Sequence, residues 1–350
     1  MRASFGLFIS VLFMSLTACG SASPGGAVDP EPFDVNAAHD ALLSEATGYF
    51  AAAGGTGGQG GSVVYVTSLN DSGPGSLREA LTRTEPLIIL FENGVDGTIN
   101  ITSGDVEVRS NKTVWGRHRD GSAADIFIHP TNRDTPFSIR NGARNIIITN
   151  LKGDAPGPND SAPDFIVIQG SGGLVWVHHV TVIGDGSSDM DGFVDIHAPG
   201  VTLSWNRVED WDNVHLVYPY PDESAEVTVT MHHNLLRNSA GRHPKLSRGS
   251  PFVHVYNNWL DNWGYDGMRV EAGELVAENN IFSPGTNTTD ETAIEGTWGG
   301  SGNAFLDGAF ADGQSSVFIP TYSYTLDPVA TEAEQQALRD RLEAEAGWQR

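Results

Sequence analysis

The sequence has one cysteine and only three lysines in 350 residues, and its one clearly apolar run lies near the start. A single cysteine excludes a disulfide-stabilised scaffold and a zinc site built from several cysteines. Basic residues number 20 against 44 acidic ones, so the formal net charge is −24. Such a chain lacks the basic surface of a nucleic-acid-binding protein, and its charge alone argues against an unassisted site for a polyanion.

The remaining composition is that of a folded protein. Apolar residues make up 39% of the chain and aromatic residues 9%, which argues against wholesale disorder. The length allows one large domain or two ordinary ones, with enough chain for a buried core.

Residues 1–18 have the pattern of a bacterial export signal. Arg2 supplies a positive end, and the apolar run from Phe5 to Leu16 is too short to span a bilayer comfortably. The run ends in Leu-Thr-Ala-Cys19-Gly20, which resembles a lipobox, the motif whose cysteine carries the lipid in mature lipoproteins. We therefore expect an exported protein anchored to the outer membrane through Cys19, with an ordinary secretory signal and an extracellular protein as the alternative.

The rest of the chain is predicted to form a tether and one domain. Residues 19–45 are rich in Ser, Pro, Gly and Ala, which is typical of a flexible tether. From residue 46 to 350 we expect a single domain of short β-strands, because brief Val- and Ile-rich runs alternate with Gly, Asn, Asp and Pro clusters. Helical periodicity is visible in residues 331–348, where Leu338 and Leu342 share one face.

The later strands end in a weak repeat. A polar residue, usually asparagine, recurs at intervals of 22–29 residues, at Asn150, His179, Asn206, Asn234, Asn258 and Asn280. This period is typical of a solenoid, and stacked asparagines form hydrogen-bonded ladders. The prediction is an all-β, right-handed parallel β-helix closed by a C-terminal capping helix over 331–348, with a β-sandwich as the alternative.

Three acidic residues are candidates for a cation site. Asp191 and Asp195 lie on one predicted coil, and Asp164 lies one coil earlier. Converging carboxylates suit a hard cation, Ca²⁺ above all, although solvated turn aspartates are the alternative. Downstream, residues 241–249 form a basic cluster around Arg242 that serves either as a functional group or as a charge partner for these acids. The paired His232 and His233 lack further zinc ligands in the pattern and are predicted to pack or stack.

Together these segments resemble polysaccharide lyase family 1, the pectate lyases. The segment 60–81 is close to the family's opening, and Val-Trp-Val-His-His at 175–179 resembles its Val-Trp-Ile-Asp-His stretch. The other matching motifs follow in the family's order, at residues 191–195, 204–206, 232–234, 242–244 and 254–258. The resemblance covers residues 47–311.

The resemblance implies calcium-dependent β-elimination on polygalacturonate. It places the calcium carboxylates at Asp164, Asp191 and Asp195 and the catalytic base at Arg242. The residue types fit the chemistry, because a cation on the uronate carboxylate acidifies the C5 proton that a base must remove before the C4 oxygen leaves. Arginine is normally protonated, so this role requires surroundings that favour its neutral form.

Two positions depart from the family pattern. Asn213 stands where a substrate-binding lysine is usual, and Ser247 where a second arginine is usual. Strand alternation places His215 on the face of Asn213 and Lys245 on the face of Ser247, so we predict that these four residues bind substrate. His178 also replaces the usual aspartate of the 175–179 motif. The changes point either to another polyuronide or methylated pectin as substrate, or to reduced activity.

Other functions remain open at this stage. A hydrolase on the same fold needs two carboxylates flanking the scissile bond, and we find no motif for it. A non-catalytic glycan-binding protein is compatible with the altered cations, and Trp211, Tyr218 and Tyr220 are candidates for stacking on sugars. The expected partner is an acidic polysaccharide and the expected cofactor is Ca²⁺. We expect a monomer that binds no nucleic acid and meets a membrane only through a lipid on Cys19.

Overall fold

The computed structural model describes residues 32–131, 133–154, 163–186, 191–285, 292–307, 309–311 and 313–350. The predicted signal peptide, the lipobox and most of the predicted tether lie outside the described residues. Within the described part, no helix is long and apolar enough to cross a membrane.

The described strands build a coil with three faces, and all the pairs between them are parallel. They form a 16-stranded and a nine-stranded sheet. Face 1 contains β1 Ser62–Val66, β2 Leu87–Phe91, β4 Lys112–His118, β7 Arg144–Thr149, β10 Gly173–His178, β13 Val201–Ser204, β16 Thr228–His232, β19 Phe252–Tyr256 and the second half of β21 Met268–Glu278.

Face 2 is the nine-stranded sheet, which contains β3 Gly97–Ile101, β5 Ile126–Pro130, β8 Lys152–Asp154, β11 Thr181–Ile183, β14 Arg207–Glu209, β17 Leu235–Arg237, β20 Trp259–Asp261, β22 Ile281–Phe282 and β24 Ala304–Phe305. Face 3 contains β6 Phe137–Ile139, β9 Ile166–Gln169, β12 Val194–His197, β15 His215–Val217, β18 Lys245–Leu246, the first half of β21, the first part of β23 Thr292–Gly299 and β25 Phe310–Ala311. The end of β23 pairs with the second half of β21 on face 1. Faces 1 and 3 belong to one sheet because β21 pairs with strands of both. The predicted parallel β-helix is confirmed, and the parallel pairing excludes the β-sandwich.

The interior of the coil is a stack of aliphatic and aromatic side chains. One column runs through face 1 in register from Ile146 through Val175, Val201 and Val229 to Val253, and none of these side chains is exposed. Burying such a side chain contributes about 1.5–3 kcal/mol relative to exposure. The short Val- and Ile-rich runs of the sequence are these inward rows.

The predicted asparagine ladder is present at the turn between faces 1 and 2. The side-chain oxygen of each ladder asparagine accepts from the backbone N–H and side-chain amide of the asparagine one coil earlier, at 2.8–3.0 Å. The ladder members are Asn206, Asn234, Asn258, Asn280 and Asn303. Asn150 and His179 lie one position off this column, because Val180 is the residue that aligns with Asn206.

Two short helices cover the outside of face 1. Helix α1, Val35–Ser44, begins at Asp34, whose carboxylate accepts from the N–H groups of Asn36 and Ala37, and helix α2 spans Gly48–Ala52. Leu42 and Phe50 pack on the outward rings of face 1. The flexible-tether prediction was therefore wrong for residues 35–44, because that stretch is helical and packed.

Two further helices lie elsewhere on the coil. Helix α3, Leu77–Thr82, places Leu77 and Leu81 in the interior core beside β1 and β2. Helix α4, Glu332–Glu345, confirms the predicted C-terminal helix and begins in a capping box formed by Thr331 and Glu334. Its apolar side lies on the outside of face 2, against Leu235, Trp259, Ile281 and Ala304. The helix therefore runs along the flank of the coil. The prediction that it caps an end of the coil was wrong.

Candidate active site

The outward side chains of face 3 form columns that cross successive coils. One column contains Asp195, Leu216, Lys245 and Arg269, which are paired in register. Strands of one sheet lie about 4.8 Å apart, so side chains on adjacent coils come within reach of one ligand. Face 3 therefore gathers charged residues that are far apart in the chain.

Asp164 and Asp195 meet over a glycine. Gly192 lies between them, and a Cβ at that position would lie 2.8 Å from Asp164 Oδ1 and 2.5 Å from Asp195 Oδ1. The backbone N–H of Gly192 also donates to Asp164 Oδ1 at 2.9 Å. The absence of a side chain at residue 192 thus allows two carboxylates to share one space.

This arrangement strongly affects proton affinity. Burial, followed by repulsion from Asp191, raises the pKa of Asp164 to about 7. Burial and the negative charges of Asp164 and Asp191 raise the pKa of Asp195 well above its ordinary value. Asp195 Oδ1 is buried and lacks a hydrogen-bond partner among the described residues. The protein around the cluster therefore does not stabilise these carboxylates in their ionised form, and they favour a bound proton or cation.

Arg242 lies beside these acids. Its Nη1 atom is 3.3 Å from Asp191 Oδ1, and about a quarter of its side chain is exposed. Its φ of 61° is unfavourable for a residue with a side chain, and such strain often occurs at functional sites. Two hydrogen bonds hold this backbone: the Arg242 N–H donates to Asp266 Oδ1 at 2.7 Å, and its carbonyl accepts from the N–H of His215 at 2.7 Å.

The other cations of this face are also paired with acids. Glu271 accepts from both Lys245 and Arg269, each at 3.1 Å. Arg248 lies 3.5 Å from Glu223, and its guanidinium stacks over the ring of Tyr218. Consequently these side chains do not offer an uncompensated positive charge to an anionic polymer.

The residues fit a hard cation in part. The donors are all carboxylate oxygens, which suit Ca²⁺. The unpartnered oxygen of Asp195 would gain a cation as its partner. Asp191 is turned toward Arg242, and within the described ranges no three His, Cys, Asp or Glu side chains converge closely enough to hold a metal ion as placed. Asp164 and Asp195 are thus the ready ligands, and Asp191 has to leave Arg242 to join them.

Comparison with known proteins identifies the family. The family model described as pectate lyase matches residues 32–349. The chain belongs to the pectate lyase family.

Relatives of this family member carry both pectin and pectate lyase names. A pectin lyase of Bacillus subtilis is 26% identical over 242 residues, which are 66% of this chain and 65% of that protein. The match therefore spans slightly less than two thirds of the length of that relative. A probable pectate lyase A of Aspergillus flavus is 27% identical over 93% of this chain and 95% of its own length.

Solved structures share the fold. The major allergen of cedar pollen has a TM-score of 0.66 at 19% identity and covers 88% of this chain and 94% of its own. A pectate lyase from Bacillus sp. N165, solved in complex with trigalacturonate, has a TM-score of 0.60 at 23% identity, with 86% and 98% covered. These likenesses confirm the parallel β-helix.

The structure brings the predicted metal and base residues of this family member together, but treats the predicted substrate contacts differently. Asn213 accepts a hydrogen bond from the Tyr265 hydroxyl at 2.7 Å, near Arg242. Lys245 lies on the outer surface, and the partly exposed Ser247 follows it. His215 is 1% exposed and packs on Phe193 inside the coil, and burial lowers its pKa to about 3. The prediction of His215 as a substrate contact was therefore wrong, because the residue is neutral and inaccessible.

One residue that positions the site, Asp266, was missed by the sequence analysis. Asp266, which holds the backbone of Arg242, lies 24 residues after it, the same interval that separates Asn234 from Asn258 in the ladder. The coil spacing was the signal that could have revealed it.

Of the candidate sugar-stacking aromatics, Trp211 is 1% exposed and belongs to the core, whereas Tyr220 is 44% exposed.

Proposed function

We propose that this protein is a calcium-dependent polysaccharide lyase that cleaves a pectate-type polyuronide by β-elimination. The observation that carries the proposal is the placement of the buried carboxylates of Asp164 and Asp195 beside Asp191 and Arg242, in a member of the pectate lyase family. A relative has been solved with trigalacturonate, which supports an acidic polysaccharide as the substrate class.

The residues divide the chemistry between them. Bound Ca²⁺ supplies the positive charge that neutralises the uronate carboxylate and acidifies the proton at C5. Asp164, Asp191 and Asp195 would hold that cation, and Asp191, which now pairs with Arg242, would have to turn away from the guanidinium to do so. The neutral form of the Arg242 side chain, which this role requires, takes up the C5 proton, and Asp266 keeps the Arg242 backbone in position. The electrons of the C5–H bond form a double bond between C4 and C5, the C4–O bond breaks, and the departing sugar oxygen takes up a proton from solvent, which leaves an unsaturated uronate.

Charge pairing on face 3 explains why a cation is needed for binding as well as for chemistry. Lys245 and Arg269 share Glu271, Arg269 also lies 3.7 Å from Glu295, and Arg242 pairs with Asp191. When they are ionised, Asp164 and Asp195 present uncompensated negative charge to a polyanion that approaches this surface. Asp164 and Asp195 would hold Ca²⁺ here, and the cation would supply positive charge that favours binding of the polymer.

Methyl-esterified pectin is the second candidate substrate. Relatives from Bacillus subtilis and Pseudomonas marginalis are named pectin lyases. Asn213 and Ser247, which replace the usual cations, also suit a substrate with less charge.

The decisive experiment measures the ultraviolet absorbance of the unsaturated product on polygalacturonate and on highly methylated pectin, with Ca²⁺ and with a chelator. We expect product from polygalacturonate that depends on Ca²⁺ and falls at least a hundredfold in Arg242→Ala and in Asp195→Asn. The matched controls are Arg83→Ala and Asp40→Asn, which change exposed residues far along the chain from the site and should retain activity.

Each other outcome has a definite meaning. Chelator-resistant product from pectin alone would favour the second candidate, and new reducing ends without absorbance would indicate a hydrolase. Binding of polymer without either product would indicate a glycan-binding protein. Full activity in Arg242→Ala would remove the proposed base.

We also propose that the protein is exported and anchored by a lipid on Cys19. The lipobox-like sequence before this single cysteine supports the proposal. Expression in a bacterial host with a labelled fatty acid should label the native protein and not Cys19→Ala. Equal labelling, or no labelling of either, would contradict the anchor.

A further inference from the structure

A cavity of about 480 Å³ lies at the end of the face 3 strands, beyond the acidic cluster. Its lining includes Arg140, Gln169, Ser171, Tyr220, Asp222 and Ala225. We call it the Tyr220 cavity. Neither the calcium site nor the base uses any of these residues, and Tyr220 is one of the few large apolar side chains exposed in the described part of the molecule.

The Tyr220 cavity is continuous with the proposed active site. Asp195 and His197 point outward from the same strand, two residues apart, which corresponds to about 6.6 Å. His197 Nε2 is 3.8 Å from Asp195 Oδ2, and its ring centroid lies 6.1 Å from that of Tyr220. Gln169 pairs with His197 in the sheet. The ring of His197 is therefore all that separates a polymer bound at Asp195 from the Tyr220 side of the cavity.

The cavity has a cation, Arg140, whose charge is paired with Asp105 and also affects Asp164 in the active site. Arg140 pairs with Asp105 at 3.0 Å, and its Nε is buried without a hydrogen-bond partner among the described residues. The positive charge of Arg140 also lowers the pKa of Asp164, although burial and Asp191 outweigh this effect. The exposed carboxylate of Asp222 lies on the rim and accepts from Ser224.

We propose that the Tyr220 cavity is a subsite for a pyranose ring of the acidic polymer, an inference that rests on the proposed lyase function. The ring stacks on Tyr220, Gln169 and Ser171 bind its hydroxyls, and Arg140 faces its carboxylate. An aromatic face combined with a few convergent polar groups is the usual composition of a carbohydrate pocket. The subsite supplies, on the far side of Asp195, the binding that Asn213 and Ser247 no longer provide as cations.

The test compares galacturonate oligomers of three and six units in Tyr220→Ala and Tyr220→Phe. We expect KM for the hexamer to rise about three- to tenfold in Tyr220→Ala, from the loss of one aromatic contact, with kcat within twofold of the native value. Tyr220→Phe keeps the stacking face and should restore KM. The preference for the hexamer over the trimer should shrink only in the alanine variant.

A second variant tests the cavity without changing the aromatic residue. Ala225→Trp places a large side chain in the cavity from an exposed position and should raise KM for the hexamer in the same way. Tyr65→Ala, on face 1, is the matched control and should leave KM unchanged. Thermal unfolding of every variant separates a binding effect from loss of the fold.

Direct binding separates failure of the subsite from failure of the lyase proposal. Calorimetry with the hexamer and Ca²⁺ is performed in Arg242→Ala, with and without Tyr220→Ala. Weaker binding in the double variant supports the subsite even if the native protein cleaves nothing. Equal binding, or equal KM in native protein and Tyr220→Ala, overturns the subsite while leaving the lyase intact. Absence of both binding and cleavage overturns both proposals.

Discussion

At the scale of single residues, the main feature is a set of acids that the protein leaves uncompensated. Two carboxylates share the space above Gly192, and one oxygen of Asp195 is buried without a partner among the described side chains. Like charges in a buried position cost stability unless a cation or a proton joins them. The arrangement of the site therefore favours binding of a cation and lowers the stability of the protein without one.

The first prediction concerns Asp164→Asn. At pH 8, above the pKa of about 7, the native carboxylate is ionised in the fold and repelled by its neighbours. Removing that charge should stabilise the calcium-free protein by roughly 1–3 kcal/mol and weaken the increase in unfolding temperature that Ca²⁺ produces. Thermal unfolding with chelator and with Ca²⁺ measures both effects.

Asp40→Asn is the control for this prediction, because Asp40 is an exposed residue of α1 that accepts a hydrogen bond from Gln59. It should leave the calcium response intact. A less stable Asp164→Asn protein with an unchanged response to Ca²⁺ would show that the carboxylate pair is not the cation site.

At the scale of elements, the turns between faces 1 and 2 depend on buried amides. Asn234 is 1% exposed, and its side chain accepts from Asn206 and donates to Asn258 and to the carbonyl of Leu203. The same side chain is thus used by three successive coils. Each buried polar group left without a partner costs about 1–3 kcal/mol.

The second prediction is that Asn234→Ala lowers the free energy of unfolding by about 2–4 kcal/mol, because it removes these bonds and leaves neighbouring groups unsatisfied. Chemical denaturation followed by tryptophan fluorescence measures the change. Asn36→Ala, at an exposed position of α1, should change stability by less than about 0.5 kcal/mol. An equally small effect at Asn234 would mean that the ladder contributes little to stability.

Element by element, the sequence was informative where the pattern is local and repetitive. The aliphatic runs and recurring asparagines predicted the coil, and family motifs predicted Asp164, Asp191, Asp195 and Arg242 as one group. His215 was misplaced because strict alternation fails there: Val214 and His215 are both buried.

Long-range packing was the part that sequence patterns did not reveal. Helix α1 has buried residues at Val35, His39 and Leu42, a helical spacing that the surrounding small and polar residues concealed. For α4, the amphipathic pattern predicted the helix correctly, but such a pattern does not specify which surface the apolar side will meet. The flank of face 2 provides that surface only after the coil has formed.

At the scale of the whole molecule, buried histidines dominate the response to acid. Burial lowers the pKa of nine histidines, namely His39, His178, His179, His197, His215, His232, His233, His243 and His254. In the unfolded chain these groups take up protons below about pH 6.5, whereas His179 and His215 stay neutral in the fold down to about pH 3. The unfolded state therefore gains protons first as the pH falls.

The third prediction follows from that sign. Stability should fall as the pH is lowered from 7 to 5, by up to about 1.4 kcal/mol per pH unit for each histidine that is neutral in the fold and protonated when unfolded. Asp164 and Asp195 oppose this trend, because their raised pKa values add stability on acidification, for Asp164 between about pH 7 and 4. Unfolding temperatures across this range should fall more steeply in Asp164→Asn. A flat profile in both proteins would show that the histidines are not buried as described.

The placement of the helices on the coil has a consequence for the evolution of such a protein. Helices α1 and α2 lie on face 1 and α4 lies on face 2, and none of these three helices packs on the outside of face 3. Outward positions on face 3 that are partly exposed, such as Lys245 and Arg269, therefore carry little of the packing, and exchanges there are expected to cost little stability. New side chains can be tried along this open side while the inward rows stay fixed. The same fold can thus acquire a different substrate preference by a few surface substitutions, and each intermediate variant along the way still folds.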